Sequence, residues 1–187
     1  MPVPNYGIGV LFESAEVRNL VAMDRCNECG YEYDLSQATS AGQAIVVGAD
    51  RLGALLEDNR NEVRRRRAAK TWSPLEYGCH LRDVLLVQRE RVLLARRAER
   101  PSVVPMGRDE RVDHDGYDKQ DPADVARQLS DAARMFENVL ARLGPSNWER
   151  TVIYNYPARS ERSLEWIAAH TLHEVRHHLL DVERQLS

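Results

Sequence analysis

The sequence lacks three features that would each place it in a well-defined class of protein. No stretch approaches the roughly 18 to 20 uninterrupted apolar residues of a membrane-spanning helix, and no basic segment precedes the short apolar run near the N-terminus. A formal net charge of -3 gives no global positive field for holding a nucleic acid. We therefore expect a cytoplasmic protein that acts on a small molecule and binds neither nucleic acid nor membrane.

Cysteine is also scarce, and this shortage excludes a disulfide framework. The three cysteines, Cys26, Cys29 and Cys79, are an odd number and suit a reducing compartment. A hydrophobic fraction of 43% in 187 residues is enough for one domain with its own core. We predict an N-terminal arm over residues 1–38 and one helical domain over residues 39–187. Met23 is a plausible start, so residues 1–22 either belong to the native protein or are an extension ahead of its true start.

What the sequence does contain is four amphipathic segments with helical periodicity, which predict an all-α fold. Each begins at residues that can cap a helix: Thr39 or Ser40, Ser73, Asp121 and Ser163. Four such helices in one small domain indicate a four-helix bundle with a non-helical N-terminal arm. Residues 99–120 are predicted to be a long loop. Residues 146–160 fit a long loop or a small hairpin equally well.

Histidines are concentrated on one face of the last predicted helix. At about 100° per residue, His170, His173 and His177 fall in one row that Trp166 and Leu180 bracket. Histidines four residues apart have Cβ atoms about 5 to 6 Å apart, so both rings of His173 and His177 can turn onto one cation. The alternative is a solvated polar face, because this row lies nearly opposite the aliphatic stripe of the helix.

A metal site needs a third ligand from another helix, and His80 is the candidate. It lies on a mostly apolar face of the second predicted helix, which should face the interior. Taken alone, an inward histidine is more often a hydrogen-bonded core residue than a ligand. Its combination with the His173 and His177 pair favours the metal site.

These residues also carry a resemblance to a known family. The sequence combines W-x3-E-x3-H-x2-D with a later H-x3-H-H, formed by Trp72, Glu76, His80 and Asp83 and by His173, His177 and His178. Over residues 36–187 the chain resembles the DinB-like superfamily, including the N-terminal domain of mycothiol-dependent maleylpyruvate isomerase. It is most similar to the small actinobacterial type.

The resemblance implies a four-helix bundle that holds one divalent metal through a histidine of the second helix and two residues of the last. Carried over, the ligands are His80, His173 and His177. In the isomerase branch the first of the two last-helix ligands is a glutamate, so His173 would place this chain with the three-histidine members. Three protein ligands leave one coordination position open, as in catalytic zinc sites.

The function that the resemblance implies is a metal-dependent transferase or isomerase that uses a low-molecular-weight thiol such as mycothiol. Zinc is the first choice of metal, with nickel, iron and manganese as alternatives, and the electrophile would enter a cleft beside Tyr77 and Trp166. The basic run at residues 64–70 is predicted to be a solvated helix end or loop, or else to meet carboxylates of the thiol. Two other functions stay open: a non-catalytic metal-binding or redox-sensing protein, and a metal-dependent hydrolase. A homodimer through a helix face is also compatible with the pattern.

Several polar residues are candidates for orienting the ligands through the ring nitrogen that is not bound to metal. They are Glu76, Asp83, His170 and Asp181. For each acid the alternative is an exposed carboxylate. His178 is rotated about 100° from His177, and we expect it to pair with Glu174 at the surface.

The segment Cys26-x2-Cys29-Gly30 is typical of one knuckle of a zinc ribbon, but no second cysteine knuckle follows it. The two thiols are therefore either inert or redox-linked, or they form a second metal or redox site. In the last case the arm would fold back and bring them near Cys79 and His80, where they would close the open coordination position.

Overall fold

The computed structural model describes residues 25–155 and 158–187, and in this part of the chain helices dominate. The α-helices are α1 (Ala41–Asp58), α2 (Pro74–Arg97), α3 (Arg108–His114), α4 (Pro122–Leu140), α5 (Pro145–Trp148) and α6 (Leu164–Leu186). The strands are β1 (Ser102–Val103), β2 (Thr151–Asn155) and β3 (Arg159–Ser163), and two 3-10 helices span Leu35–Ser40 and Tyr117–Lys119. None of the described helices combines the length and apolar character needed to cross a membrane.

The long helices begin where the capping residues predict. Ser73 and Glu76 form a reciprocal capping box at the start of α2, in which each side chain accepts a hydrogen bond from the other residue's backbone N–H. Asp121 accepts from two backbone amides at the start of α4, and Ser163 accepts from the amide of Trp166 at the start of α6. Ser40 precedes α1 without a capping hydrogen bond from its side chain.

The predicted four-helix bundle is confirmed, and it consists of α1, α2, α4 and α6. Helices α1 and α2 each pack against both α4 and α6, so α6 lies between α1 and α2. Gly48 allows the close approach of α1 to α6, because a Cβ atom at this position would lie 2.5 Å from Cγ1 of Val175. The core includes Ile45, Leu52, Leu81, Leu85, Leu129, Phe136 and Ile167.

The two connections between long helices contain more structure than predicted. Residues 99–120, expected to be a loop, include β1, α3 and a 3-10 helix. Helix α3 buries no residue, so it leaves no apolar period in the sequence. Residues 146–160 form α5 and a hairpin in which β2 pairs with β3 antiparallel, while β1 pairs with β2 in parallel. The hairpin alternative is therefore correct, although Tyr156 and Pro157 lie outside the described residues.

The N-terminal arm, as far as it is described, folds back onto α6. Its backbone turns at Gly30, which has a positive φ of 73°, and the Tyr31 hydroxyl donates to the backbone oxygen of Ala169 at 3.1 Å. The 3-10 helix Leu35–Ser40 crosses the predicted boundary between residues 38 and 39, so the arm does not lack helix throughout. Residues 1–22, for which an extension is one of the two alternatives, lie outside the described part of the chain.

Candidate metal centre

Helix α6 presents Glu174 and His178 to His80 on the neighbouring helix α2. The Nε2 atoms of His80 and His178 lie 3.8 Å and 3.7 Å from the same atom, Oε2 of Glu174. One potential ligand atom from each of the three residues lies within 4.8 Å of the others. The His80 side chain is 4% exposed, and those of His178 and Glu174 are 15% and 22% exposed. The three side chains thus converge at the edge of the bundle core.

The separations within this group suit a shared cation better than direct hydrogen bonds. At 3.7 and 3.8 Å the nitrogen to oxygen distances exceed those of normal hydrogen bonds. Nitrogen and oxygen ligands about 2.0 to 2.2 Å from zinc stand about 3.4 Å apart in a tetrahedron, and farther apart where the angle opens. The donor set, two imidazoles and one carboxylate, also fits a divalent metal. The residues present therefore fit the divalent metal that the family resemblance implies.

Asp181 fixes the orientation of His178. Its Oδ2 atom lies 3.0 Å from Nδ1 of His178, one turn along α6, and this leaves Nε2 directed at Glu174. Burial alone would lower the pKa of His178, but the carboxylates of Asp181 and Glu174 outweigh it and raise the pKa to about 9. A carboxylate on the outer nitrogen of a metal-binding histidine is a common arrangement, because it fixes the ring and its tautomer.

The other two members of the group have shifted pKa values as well. Burial is the main reason why the pKa of His80 lies below its ordinary value, so its ring is neutral and can offer a lone pair. Burial raises the pKa of Glu174, but His178 and His80 outweigh burial and hold it well below the ordinary value. His80 Nδ1 is buried without a hydrogen-bond partner in the described part of the chain.

Aromatic rings cover one side of this group. The Trp72 ring centroid is 5.0 Å from that of His80, and the Tyr77 ring centroid is 4.9 Å from that of His178. The two aromatic rings also contact each other edge to face, at 5.6 Å. The predicted cleft residue Tyr77 is therefore beside the group, whereas Trp166 stacks on His170 at 4.5 Å.

The structure does not assemble the predicted ligand set of His80, His173 and His177. Among residues 25–155 and 158–187, no potential metal-binding group contains His80 together with either of the other two. The core stripe of α6 runs through the buried residues Thr171, Val175 and Val182. At about 100° per residue, Glu174 and His178 lie about 80° and 40° around the helix from the centre of this stripe. The predicted ligands His177 and His173 lie about 140° and 180° from it. The prediction placed the site opposite the core, and the structure places His80 beside Glu174 and His178.

The sequence suggests that His178 lies at the surface, but the structure places it beside the core. Its predicted proximity to Glu174 is present, at 3.7 Å, but its side chain is only 15% exposed. The signal in the sequence was the position of E-x3-H next to the aliphatic stripe, since a site between α2 and α6 must border the core.

Of the predicted orienting residues, Glu76 and Asp83 are engaged elsewhere. Glu76 accepts hydrogen bonds from Arg66 at 2.8 Å and from the backbone amide of Ser73 at 2.7 Å. Asp83 accepts from Arg82, Arg111 and the Tyr117 hydroxyl, at 2.8, 3.1 and 2.6 Å. Both acids are buried, so neither is the exposed carboxylate of the alternative interpretation.

The third candidate, His170, belongs to a group around a tyrosine of the arm. The Tyr33 hydroxyl lies 3.0 Å from Nδ1 of His170 and 2.9 Å from Nδ1 of His173. Two further sets of side chains have potential ligand atoms close together: His170, His173 and Glu174 form one set, and His177, His178 and Asp181 form another. In the set with His170 and His173, the Tyr33 hydroxyl is hydrogen-bonded to the Nδ1 atoms of both histidines. In the set with His177 and His178, Asp181 is hydrogen-bonded to His178.

Among the described residues, no potential metal-binding group combines the two cysteines of the arm with Cys79 or His80. Cys26 and Cys29 instead form a potential metal-binding group with His173 and His177. Cys79 is buried in α2 and its thiol faces the Gln120 side chain at 3.6 Å. The arm folds back, as one of the alternatives for the two thiols required, but it meets α6 rather than α2, and Cys79 is outside the cysteine group.

The basic run at residues 64–70 is largely used within the fold. Arg64 donates to the backbone oxygen of Asp118 at 2.7 Å and Arg67 donates to that of Gln185 at 2.9 Å, while Arg66 pairs with Glu76. A separate groove of about 490 Å³ lies between the arm and α6, and Tyr31, Leu172 and Arg176 line part of it. None of His80, Glu174 and His178 lines this groove, so it is not the candidate site.

The fold and the site together define a class: a four-helix bundle whose second and last long helices bring histidine and glutamate side chains into a group that could bind a metal ion. The sequence profile of the DinB superfamily matches residues 46–182. The chain belongs to the DinB superfamily.

One solved structure supports the assignment of the fold. YfiT from Bacillus subtilis, described as a probable metal-dependent hydrolase with an unusual four-helix bundle topology, is similar with a TM-score of 0.70. The sequences are 16% identical, and the match covers 81% of this chain and 88% of that chain. No curated protein matches this sequence significantly.

Proposed function

We propose that the protein is a metal-dependent enzyme of the thiol transferase or isomerase type, with its cation held by His80, Glu174 and His178. The observation that carries the proposal is the convergence of these three side chains from α2 and α6, with both imidazole Nε2 atoms less than 4 Å from one carboxylate oxygen of Glu174. Zinc is the first choice of metal, and nickel, iron and manganese accept the same ligand types.

The identity of the second ligand favours the isomerase type within the superfamily. The isomerase branch has a glutamate as the first of its two last-helix ligands, and Glu174 takes that place here in the pattern E-x3-H. With three protein ligands, one coordination position stays available for a substrate atom. A bound divalent cation lowers the pKa of a thiol or water molecule, and this chemistry supplies a nucleophile near neutral pH.

The residues around the group have distinct tasks in this proposal. Asp181 fixes the ring of His178 through Nδ1. The rings of Trp72 and Tyr77 exclude water from one side of the site and offer an apolar surface to the electrophile. The substrates are a low-molecular-weight thiol such as mycothiol and a small electrophile.

Metal analysis of the full-length protein tests the ligand assignment. The protein is loaded with zinc, passed over a desalting column and measured by inductively coupled plasma mass spectrometry. Alanine at His80, Glu174 or His178 should each remove one equivalent of zinc per chain, because two remaining ligands bind zinc weakly. His114→Ala is the matched control, since His114 is exposed on α3. Unchanged zinc in all three variants would contradict the assignment.

Activity separates the two enzyme classes. The metal-loaded protein is incubated with a panel of electrophiles in the presence and absence of mycothiol, glutathione or cysteine. The readout is conversion of the electrophile that requires the thiol, which a transferase consumes and an isomerase regenerates. Such conversion by the wild type, and its loss in His178→Ala but not in His114→Ala, supports the transferase or isomerase type. No thiol-dependent conversion of any electrophile would refute it.

A metal-dependent hydrolase is the second candidate, and the structural similarity to YfiT, itself described as a probable metal-dependent hydrolase, favours it. The same three residues would hold the cation. In this case ester or amide substrates are cleaved without added thiol, and the reaction depends on the metal and on His178.

A further inference from the structure

The cysteines of the N-terminal arm and two histidines of α6 form a second group that the proposed enzyme site does not use. We propose that Cys26, Cys29, His173 and His177 bind one zinc ion in a closed, structural site that fastens the arm to α6. Ligand atoms from all four residues lie within 4.8 Å of one another. The proposal does not depend on the proposed function, because the two groups share no ligand.

The cysteine half of the site is built as a knuckle. Gly30 donates its amide to the backbone oxygen of Cys26 at 2.8 Å, and the amide of Cys26 donates to the backbone oxygen of Tyr31 at 2.8 Å. The left-handed backbone of Gly30, with φ at 73°, closes the turn. Arg25 and Glu32 pair across it as an antiparallel bridge. This local structure holds both thiols near the same face of α6, and neither is in a disulfide.

The histidine half is pre-oriented by partners on the outer ring nitrogens. The Nδ1 atom of His173 is hydrogen-bonded to the Tyr33 hydroxyl at 2.9 Å, and its Nε2 atom is buried without a hydrogen-bond partner in the described part of the chain. For His177 the nitrogens exchange roles: Nδ1 faces Sγ of Cys26, and Nε2 lies 3.3 Å from a carboxylate oxygen of Glu28. We therefore assign Nε2 of His173 and Nδ1 of His177 as the ligand atoms.

The distance between two of the ligand atoms agrees with tetrahedral coordination of zinc. The Cys26 sulfur and Nδ1 of His177 are 3.6 Å apart. Ligands at the usual zinc to sulfur and zinc to nitrogen distances, about 2.3 and 2.0 to 2.1 Å, stand about 3.6 Å apart at a tetrahedral angle. These two ligand atoms therefore already stand at the separation that a shared zinc ion requires.

The ligand types identify both the metal and the kind of site. Two cysteines separated by two residues and two histidines separated by three residues are the Cys2His2 set of structural zinc sites. Two thiolates also neutralise the charge of a divalent zinc ion, which suits a group in which Cys26 and His173 are buried. Because all four positions are filled by the protein, this ion would be structural, in contrast to the three-ligand site at His80.

Cobalt substitution distinguishes the two sites, because only this one contains thiolates. The reduced full-length protein is freed of metal, titrated with Co2+ and followed by absorption spectroscopy. The wild type should develop thiolate-to-cobalt charge-transfer bands with the intensity of one thiolate-bound ion per chain, and they should saturate by two equivalents because the enzyme site also takes up cobalt. The double variant Cys26→Ser, Cys29→Ser should lose these bands, and its zinc loading should fall by one equivalent. The variant His177→Ala keeps both thiolates and His173, so it should keep weaker, shifted bands.

Two controls keep the result specific. Cys79→Ala removes a cysteine outside the group and should keep the bands. Glu174→Ala removes a ligand of the proposed enzyme site and should also keep the charge-transfer bands. Loss of metal from the enzyme site can therefore be distinguished from loss of metal from the cysteine group. Circular dichroism verifies that each variant folds. Absence of charge-transfer bands in the reduced wild type, or their persistence in the cysteine double variant, would overturn the proposal.

Discussion

At the scale of single residues, neighbouring positions of α6 have different chemical surroundings. His173 and His177 contact the arm, whereas Glu174 and His178 contact His80 on α2. Asp181 connects the two groups, because its Oδ2 atom is 3.0 Å from His178 and 3.5 Å from the outer nitrogen of His177. The negative charge of Asp181 would therefore act on one ligand of each proposed metal site, namely on His178 in the first and on His177 in the second.

Glu76 is the residue for which a pH dependence can be predicted. Burial raises the pKa of its carboxyl, but hydrogen bonds from Arg66 and from Ser73 outweigh burial and hold the pKa below its ordinary value. A carboxyl with a lowered pKa in the folded state stabilises the fold above its unfolded pKa, about 4.3, and loses this contribution as the pH falls through the folded value.

We therefore expect Glu76→Gln to lower the free energy of unfolding at pH 7 by about 1 to 2 kcal/mol, the typical value of a helix cap together with a charged hydrogen bond. The difference from the wild type should shrink as the pH falls from the unfolded pKa, about 4.3, through the lower folded pKa, because the wild-type carboxyl becomes protonated over this range. Denaturant unfolding at pH 7 and pH 3 measures this. An equal loss at pH 7 and pH 3 would assign the effect to packing rather than to charge.

At the scale of the helices, the caps could be predicted from the sequence and the rotation of α6 could not. Ser73, Asp121 and Ser163 act on amides within three residues, so the starts of α2, α4 and α6 follow from local sequence. The rotation depends on where α1 and α2 lie. Helix α6 packs against both of them, so its inward face extends beyond the aliphatic stripe to Glu174 and His178.

The contact between α1 and α6 gives a prediction at this scale. Gly48→Ala should gain up to about 1 kcal/mol of helix propensity but lose about 1 to 3 kcal/mol, because the new methyl group overlaps Val175. A net loss of about 1 kcal/mol corresponds to a fall in Tm of about 2 to 4 °C for a chain of this length.

The companion experiment introduces Gly48→Ala into a Val175→Ala background, where the overlapping atoms are absent. There the substitution should raise Tm instead of lowering it. The same fall in Tm in both backgrounds would show that the methyl group does not act through Val175.

At the scale of the whole molecule, the bundle and its family could be predicted from the sequence, whereas the ligand groups required the structure. The motif around His80 and the periodicity of the helices led to the correct fold. The partners of Cys26 and Cys29 are about 150 residues away in the chain, and no local pattern connects a cysteine knuckle to a histidine pair at that separation. Likewise, α3 and β3 carry too few apolar residues to be recognised in advance.

The central claim is that His80, Glu174 and His178 hold a metal ion, and a crystal structure of the zinc-loaded full-length protein tests it most directly. Anomalous difference density recorded on the two sides of the zinc absorption edge locates every zinc ion without assumptions about its ligands. We predict one peak within bonding distance, about 2.0 to 2.2 Å, of His80, Glu174 and His178, apart from any peak at the cysteine group. A peak bound jointly by His80, His173 and His177, or no peak beside Glu174, would contradict the account.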